Sequence, residues 1–460
     1  RMSHKTRCGA LAVFLVSNVC VAAAQPAPDT AASPVPPPTY TEPAEGSAEA
    51  DATAEAAGSD QATGAAEDRD SDQAESGAAD VAEPASAAPA ANGAVVTAAL
   101  GRGVRIESAD GEFMLNIRAR AQLLATALGD SPAGGDGSIT FQARRVRLLF
   151  QGHLFGPEWQ YYIQLGFSNR DTEPDLRLPL RDAYMTWSGL RDMNVRFGQM
   201  KVPHDRQRVN SSSALQLVDR SIVTQEFNLD RDVGIQLFST DVGGLGGRLA
   251  YAAGVFGGDG RNRITGDFGL LYVGRVSYLP FGAFDDYVEA DHGRASNPRL
   301  ALTAGFAYNQ NSVRTRSTFQ DTYQLGSFDF FHANFEALFK MSGFSFLAQA
   351  FMRDVRGSAV HQDNSDPANP IVETARVGYG AFGQAGYLFN DHLELVGRFG
   401  EIRPTRNGAS ALRRQGEIGG GLNWYFQKHD FKIQLDYFWL YQGDFDQGRH
   451  QVRVQTQFFL

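Results

Sequence analysis

The chain has 460 residues, two cysteines and a formal net charge of -10. That charge sits at one end: residues 1–100 hold 4 Lys and Arg against 14 Asp and Glu, while the remaining 360 hold 38 of each. A body that is neutral overall, with no run of eighteen apolar residues after residue 24, excludes transmembrane helices and a basic nucleic-acid-binding surface.

At the start of the chain, Arg1, Lys5 and Arg7 precede an apolar run from Leu11 to Val21 and the small residues Ala22, Ala23 and Ala24. Basic, apolar and small segments in that order predict a secretory signal peptide over residues 1–24, with an apolar part too short to span a bilayer. Cys8 and Cys20 both fall inside it, so the exported chain keeps no thiol for a disulfide or a metal. Residues 25–100 follow as an Ala, Pro and acidic segment, which to about Asn92 has almost no large apolar side chain. Such a segment buries too little apolar area to fold and reads as a disordered periplasmic linker. A structural tether to the cell envelope is its alternative role, without a motif behind it.

The remaining domain, residues 101–460, has another texture. From Phe113 onward, runs of about ten residues alternate apolar and polar, each closed by Gly, Asn, Asp or Pro. Sixteen such runs begin near residues 113, 140, 159, 180, 193, 232, 247, 270, 299, 328, 344, 376, 393, 415, 431 and 450. A period of two sends successive side chains to opposite faces of a sheet. In FKIQLDYFWLY, for example, Phe431, Ile433, Leu435, Tyr437, Trp439 and Tyr441 oppose Lys432, Gln434 and Asp436. Runs of this length with aromatic ends fit tilted strands crossing a hydrocarbon layer better than the shorter strands of a soluble sandwich. The fold class is therefore all-β, a transmembrane antiparallel barrel of about 16 strands.

The connections agree. GHLFGPE, SGLRD, KMSG, NDH and QKHD are short, and longer ones such as 202–231, 309–327 and 354–375 lie between them. Outer-membrane barrels have short periplasmic turns and long outside loops. Residues 279–298 break the rule, being long where a short turn is expected. The last run, HQVRVQTQFFL, sets Val452, Val454, Thr456, Phe458 and Leu460 on one face. Pairing it with the first run would leave no open edge in lipid.

Six segments carry a resemblance: QARRVRLLFQG (142–152), LRDAYMTW (180–187), VRFGQMKVP (195–203), RDVGIQLF (231–238), LYVGRVSYLPFG (271–282) and GLNWYF (421–426). Together they make the chain similar to the phosphate-selective porins O and P. The resemblance implies a channel in outer-membrane lipid, usually a homotrimer and in some members anion-selective. The expected function is passive diffusion of small hydrophilic solutes with at most a weak preference for phosphate-like anions, which needs no cofactor. The four lysines of the body, Lys201, Lys340, Lys428 and Lys432, are scattered along the chain, and the other 34 basic residues there are arginines. A dedicated lysine funnel is not expected.

A pore selects by its narrowest ring and the charges lining it. Arg118, Arg120, Arg145, Arg147, Arg196 and Lys201 are the pore-lining candidates for anion selectivity, and Asp182, Glu336, Glu394 and Asp436 are expected to face the same lumen and pair with arginines. The third outside connection is the candidate to fold inward as a constriction, with Arg206, Arg208, Arg220, Arg231, Asp219 and Glu226. Its alternative is a surface loop held together by its own ion pairs. His332, Asn334 and Glu336 share one strand face, which leaves a barrel-borne hydrolase as the alternative from another class. No serine in a strained glycine turn accompanies them and no metal cluster is visible, so neither an enzyme nor a metal is expected.

Overall fold

A computed structural model of the protein describes residues 93–131, 137–169, 171–172, 178–264, 269–367, 369–406 and 409–460. The expected signal peptide, and the linker up to residue 92, lie outside the described residues. Two short strands come first, β1 (Val95–Ala99) and β2 (Gly103–Glu107). Next are β3 (Phe113–Ser131), β4 (Ser138–Leu154), β5 (Trp159–Gly166), β6 (Leu180–Leu190) and β7 (Met193–Lys201). Two short helices, α1 (Arg206–Val209) and α2 (Ile222–Phe227), precede β8 (Arg231–Ser239), β9 (Leu249–Phe256), β10 (Leu271–Tyr278), β11 (Arg299–Ser312), β12 (Phe328–Met341) and β13 (Phe344–Val355). A loop hairpin, β14 (Val360–Asp363) and β15 (Ile371–Thr374), leads to β16 (Gly378–Leu388), β17 (Leu393–Pro404), β18 (Gln415–Gln427), β19 (Phe431–Gln442) and β20 (Gly448–Phe459).

Sixteen of these, β3–β13 and β16–β20, pair antiparallel in sequence order, and β20 closes on β3 with Val454 opposite Ala125. The barrel is closed, so no edge is left for lipid. Every barrel strand starts within two residues of the position set by the alternation. In β13, Phe344, Phe346 and Met352 are exposed while Ser345, Leu347, Gln349, Phe351 and Arg353 are buried. Outward aromatics gather near one rim: Trp159 and Trp187 at 6.4 Å, with Phe344, Trp424 and Phe431. Amphipathic rings at that level suit a membrane interface. Among the described residues no helix is long and apolar enough to cross a membrane, and the crossing elements are strands.

Three features depart from the sequence reading. The alternation of connection lengths is imperfect, because 132–137 and 443–447 at the loop end are as short as the turns. Residues 95–99, which composition placed in the linker, form β1. The hairpin β1–β2 serves the barrel: β20 stops at Ala119 of β3, and β2 covers the remaining edge, with Val104 opposite Ile117 and Glu107 opposite Met114. Gly103 permits this approach, since its φ is +75° and a Cβ there would sit 2.1 Å from the Ile117 carbonyl oxygen.

The third departure is inside. The third loop-end connection, residues 202–230 (L3), and the fourth turn-end connection, residues 279–298 (T4), both enter the barrel. The core forms there, with Val223 and Phe227 of α2 packed on Leu338, Leu347, Phe351 and Phe382 of the wall. Burying such side chains contributes about 1.5–3 kcal/mol each and holds the loop inward.

Candidate functional site: the charged lumen

Inward positions are charged to an unusual degree. Among the described residues, the buried set contains 20 Arg and Lys against 14 Asp and Glu. Buried charges are stable only when paired and hydrogen-bonded, and the pairing is dense. Asp182 accepts from Arg231 at 2.9 Å through both oxygens. Glu336 accepts from Arg275 at 2.8 Å through both, and Asp436 likewise from Arg453 at 2.8 Å. Glu394, expected to pair with an arginine, is instead met by neutral donors, Gln216 at 2.6 Å, Tyr425 at 2.5 Å and Asn423 at 2.8 Å, so the arginine forks are those of the other three carboxylates. Bidentate forks of this kind suit arginine, which explains its dominance over lysine.

L3 is built from two capped turns. Asp205 caps α1 by accepting from the Arg208 amide at 2.8 Å, and Ser221 caps α2 by accepting from the Thr224 amide at 3.0 Å. Arg206 reaches Asp286 of T4 at 2.8 Å and Glu336 of the wall at 3.3 Å. Arg208 pairs with Asp230, and Arg220 donates to the carbonyls of Gln207 at 2.5 Å and Asn210 at 2.8 Å. Asp219 meets Arg144 at 2.9 Å, Arg145 at 3.2 Å and Arg453 at 3.1 Å. Burial alone would raise its pKa, but Arg144, Arg453 and Arg145 outweigh burial and hold the carboxyl below the usual carboxylate range. Glu226 is treated alike: burial raises it, and Arg316, Arg376 and Arg353 bring it below the ordinary value. Asp205 goes the other way, pushed up to about 7 by burial and then by Glu336.

Of the ladder residues, Arg120, Arg145, Arg147, Arg196 and Lys201 are buried inside the barrel. Arg120 donates to the Ser211 hydroxyl at 3.3 Å, and Arg147 pairs with Asp171 at 2.7 Å. Arg196 donates to Thr186 at 2.9 Å and lies over Tyr184 and Phe238 at 4.3 and 4.9 Å. Lys201 donates to the Val209 carbonyl at 2.5 Å. Arg118 stands apart at the turn-end rim, donating to the Gly101 carbonyl at 2.9 Å with Asp430 at 3.8 Å. Arg144 and Arg145 are sequence neighbours on nominally opposite faces, yet both turn inward. A bulge skips one residue, pairing Gln122 with Arg145 and Leu123 with Ala143.

Sequence reasoning missed Arg275, Arg398 and Arg453, although each sits at an inward parity position that strict alternation would have identified. It missed Asp286 and Glu289 because they lie on a turn whose only signal was its length. The lysines, scattered in sequence, partly converge in space: Lys340, Lys428 and Lys432 all act on His292 of T4.

L3 leaves a small space of about 90 Å³ against the wall of β6–β10, lined by Asp182, Tyr184, Arg196, Lys201, Arg275 and, from T4, Tyr287. His332 Nε2 lies 3.0 Å from the Ser317 hydroxyl, but its Nδ1 is buried without a partner and Glu336 is engaged by arginines. A serine–histidine pair without an orienting carboxylate lacks the arrangement that activates a nucleophile.

A closed sixteen-strand barrel with an apolar exterior, a charged interior and a loop folded into it is an outer-membrane channel of the porin class. The sequence profile of the phosphate-selective porins O and P matches residues 125–458, and the chain belongs to that family. No curated protein matches it in sequence. Among solved structures it is similar to a loop-deletion mutant of OmpT, an outer membrane protein of Vibrio cholerae, at 9% identity and TM-score 0.51 over 76% of this chain and 100% of that one. Salmonella typhi OmpF in complex with daunomycin follows at 14% identity and TM-score 0.50, over 76% and 98%. The outer membrane channel DcaP of Acinetobacter baumannii gives 15% and 0.49, over 77% and 99%. The likeness to OmpT and OmpF is one of fold. The protein's location is the Gram-negative outer membrane.

Proposed function

We propose that this channel passes small hydrophilic solutes by passive diffusion with a weak preference for anions, and that it is not an enzyme. The reading is carried by the small space between L3 and the β6–β10 wall, taken here as the conducting passage, where Arg196 and Lys201 stand beside two arginines already balanced by carboxylates, Arg275 by Glu336 and Arg231 by Asp182. An excess of fixed cations in a confined, low-dielectric channel raises the local concentration of anions. The large number of ion pairs keeps that excess modest, which is why the preference is weak. L3 acts as the constriction, with Arg206, Arg208, Arg220, Asp219 and Glu226 holding its shape, and Arg231, which belongs to the start of β8 and not to the loop, holding its last residue Asp230 at 3.1 Å. Arg120, Arg145 and Arg147 form the ladder beside it.

In the mature protein, residues 1–24 are removed as a signal peptide, residues 25–100 lie in the periplasm, and three barrels assemble as a homotrimer. Cross-linking in outer membranes checks the assembly, a trimer-sized product being expected and a monomer counting against it. The reversal potential across a KCl gradient in a planar bilayer tests selectivity. Its sign is expected to report anions as the more permeant ion; a cation-selective potential would overturn the proposal.

A further inference from the structure

We infer that T4 is a strut that sets the width of the passage from the turn end, with Glu289 and Asp286 as positioning residues for L3. This rests on the reading of that passage as the conducting path.

Residues 279–298 join β10 to β11 where a short turn would suffice, and they turn back into the lumen. Glu289, at 1% exposure, gathers three donors from two different elements. Its Oε1 accepts from Gln207 at 3.0 Å, and its Oε2 accepts from the Gln216 amide at 2.9 Å and from Gln384 of β16 at 3.0 Å. The Glu289 amide itself donates to the Ala214 carbonyl at 3.2 Å. One carboxylate therefore joins the start of L3, its middle and the wall. Asp286 holds Arg206 at 2.8 Å, and Tyr287 between them lies against the Arg206 guanidinium at 5.2 Å and lines the passage.

T4 is anchored to the wall on both sides of these contacts. Lys340 donates to the Asp285 carbonyl at 2.7 Å, and the Gly343 amide donates to Asp291 at 2.7 Å. Ala290 packs with Leu388 and Tyr425. The short helices of L3 have few internal hydrogen bonds to define their place, so donors and acceptors supplied from outside fix it. A rigid, wall-anchored segment carrying those groups does so from the opposite end of the barrel.

The test uses the full chain, purified as heat-modifiable folded barrel and reconstituted in planar bilayers in KCl. Glu289→Ala removes every side-chain acceptor. Glu289→Gln removes the charge but keeps one acceptor. A third protein replaces residues 280–297 by a four-residue turn. The expected result is a conductance raised about twofold with added open-channel flicker for Glu289→Ala and for the shortened turn, and a smaller change for Glu289→Gln, because a wider or mobile constriction conducts more. Asp286→Asn, which removes the charge of the second contact while Arg206 keeps its hydrogen bond to the residue 286 carbonyl, is expected to add a smaller amount of flicker. Wild-type conductance and noise in Glu289→Ala and in the shortened protein would overturn the strut. Equal changes in Glu289→Ala and Glu289→Gln would assign the effect to charge alone and overturn it too. A silent wild-type channel would instead sink the conducting-path reading itself.

Discussion

Asp219 shows what the lumen asks of single residues. Three guanidinium groups converge on it, two from the bulge of β4 and one from β20, so it joins L3 to both sides of the barrel closure. Removing the shared carboxylate takes its counter-charge from Arg144 and Arg145, while Arg453 keeps Asp436; breaking a buried cluster in this way costs about 3–5 kcal/mol. Asp219→Asn is therefore expected to lower the unfolding midpoint in urea and to move the reversal potential further toward anions; an unchanged midpoint would mean that the cluster is not structural. The same geometry separates two residues that the sequence treated as equivalent. Arg120→Ala is expected to shift the reversal potential toward cations. Arg118→Ala is expected to leave it unchanged, because Arg118 is spent at the rim on the Gly101 carbonyl. A shift in Arg118→Ala equal to that in Arg120→Ala would put the filter at the rim instead.

At the level of elements, T4 carries a pH dependence. His292 packs edge-on against Tyr425 at 4.6 Å and His429 at 4.9 Å, with Lys432, Lys428 and Lys340 nearby. Burial first, and then those lysines, lower its pKa from 6.5 to about 3. An undocked T4 has the ordinary value, so docking is at full strength above about pH 6.5 and weakens as pH falls toward 3. Flicker is expected to grow between pH 7 and pH 4.5 and to grow less over that range in His292→Phe. Asp205, pushed up to about 7, titrates in the opposite sense on L3, so equal pH profiles in the two proteins would credit another group. None of this was legible in sequence. The strands were, to within two residues, because a period of two is imposed residue by residue on every wall position. The bulge that turns Arg144 inward was not, since strict alternation assigns it to lipid. Nor was the docking of T4, because the partners of Glu289 lie more than seventy residues away in both directions and no local pattern marks them.

Across the whole molecule, closure joins the two ends of the barrel chain and divides the work between β20 and β2. Residues 120–131 of β3 are paired by β20, and Leu460 exchanges hydrogen bonds with Ala119 at 3.1 and 2.8 Å. Residues 114–117 are paired only by β2 on that side. The two deletions that expose β3 should therefore differ. Removing residues 93–107 uncovers the edge at the turn-end rim, where water can satisfy the freed amides and carbonyls, and it takes from Arg118 its Gly101 partner. The barrel is expected to insert and conduct, with a heat-modification temperature lower by several degrees, in line with a loss of about 1–2 kcal/mol. Removing residues 449–460 uncovers the edge at membrane depth, where each unsatisfied backbone group costs several kcal/mol, and no folded barrel is expected. Failure of the first deletion to insert, seen as the absence of the heat-modifiable band in outer membranes, would make the β1–β2 hairpin part of the closure rather than a cover for its exposed end.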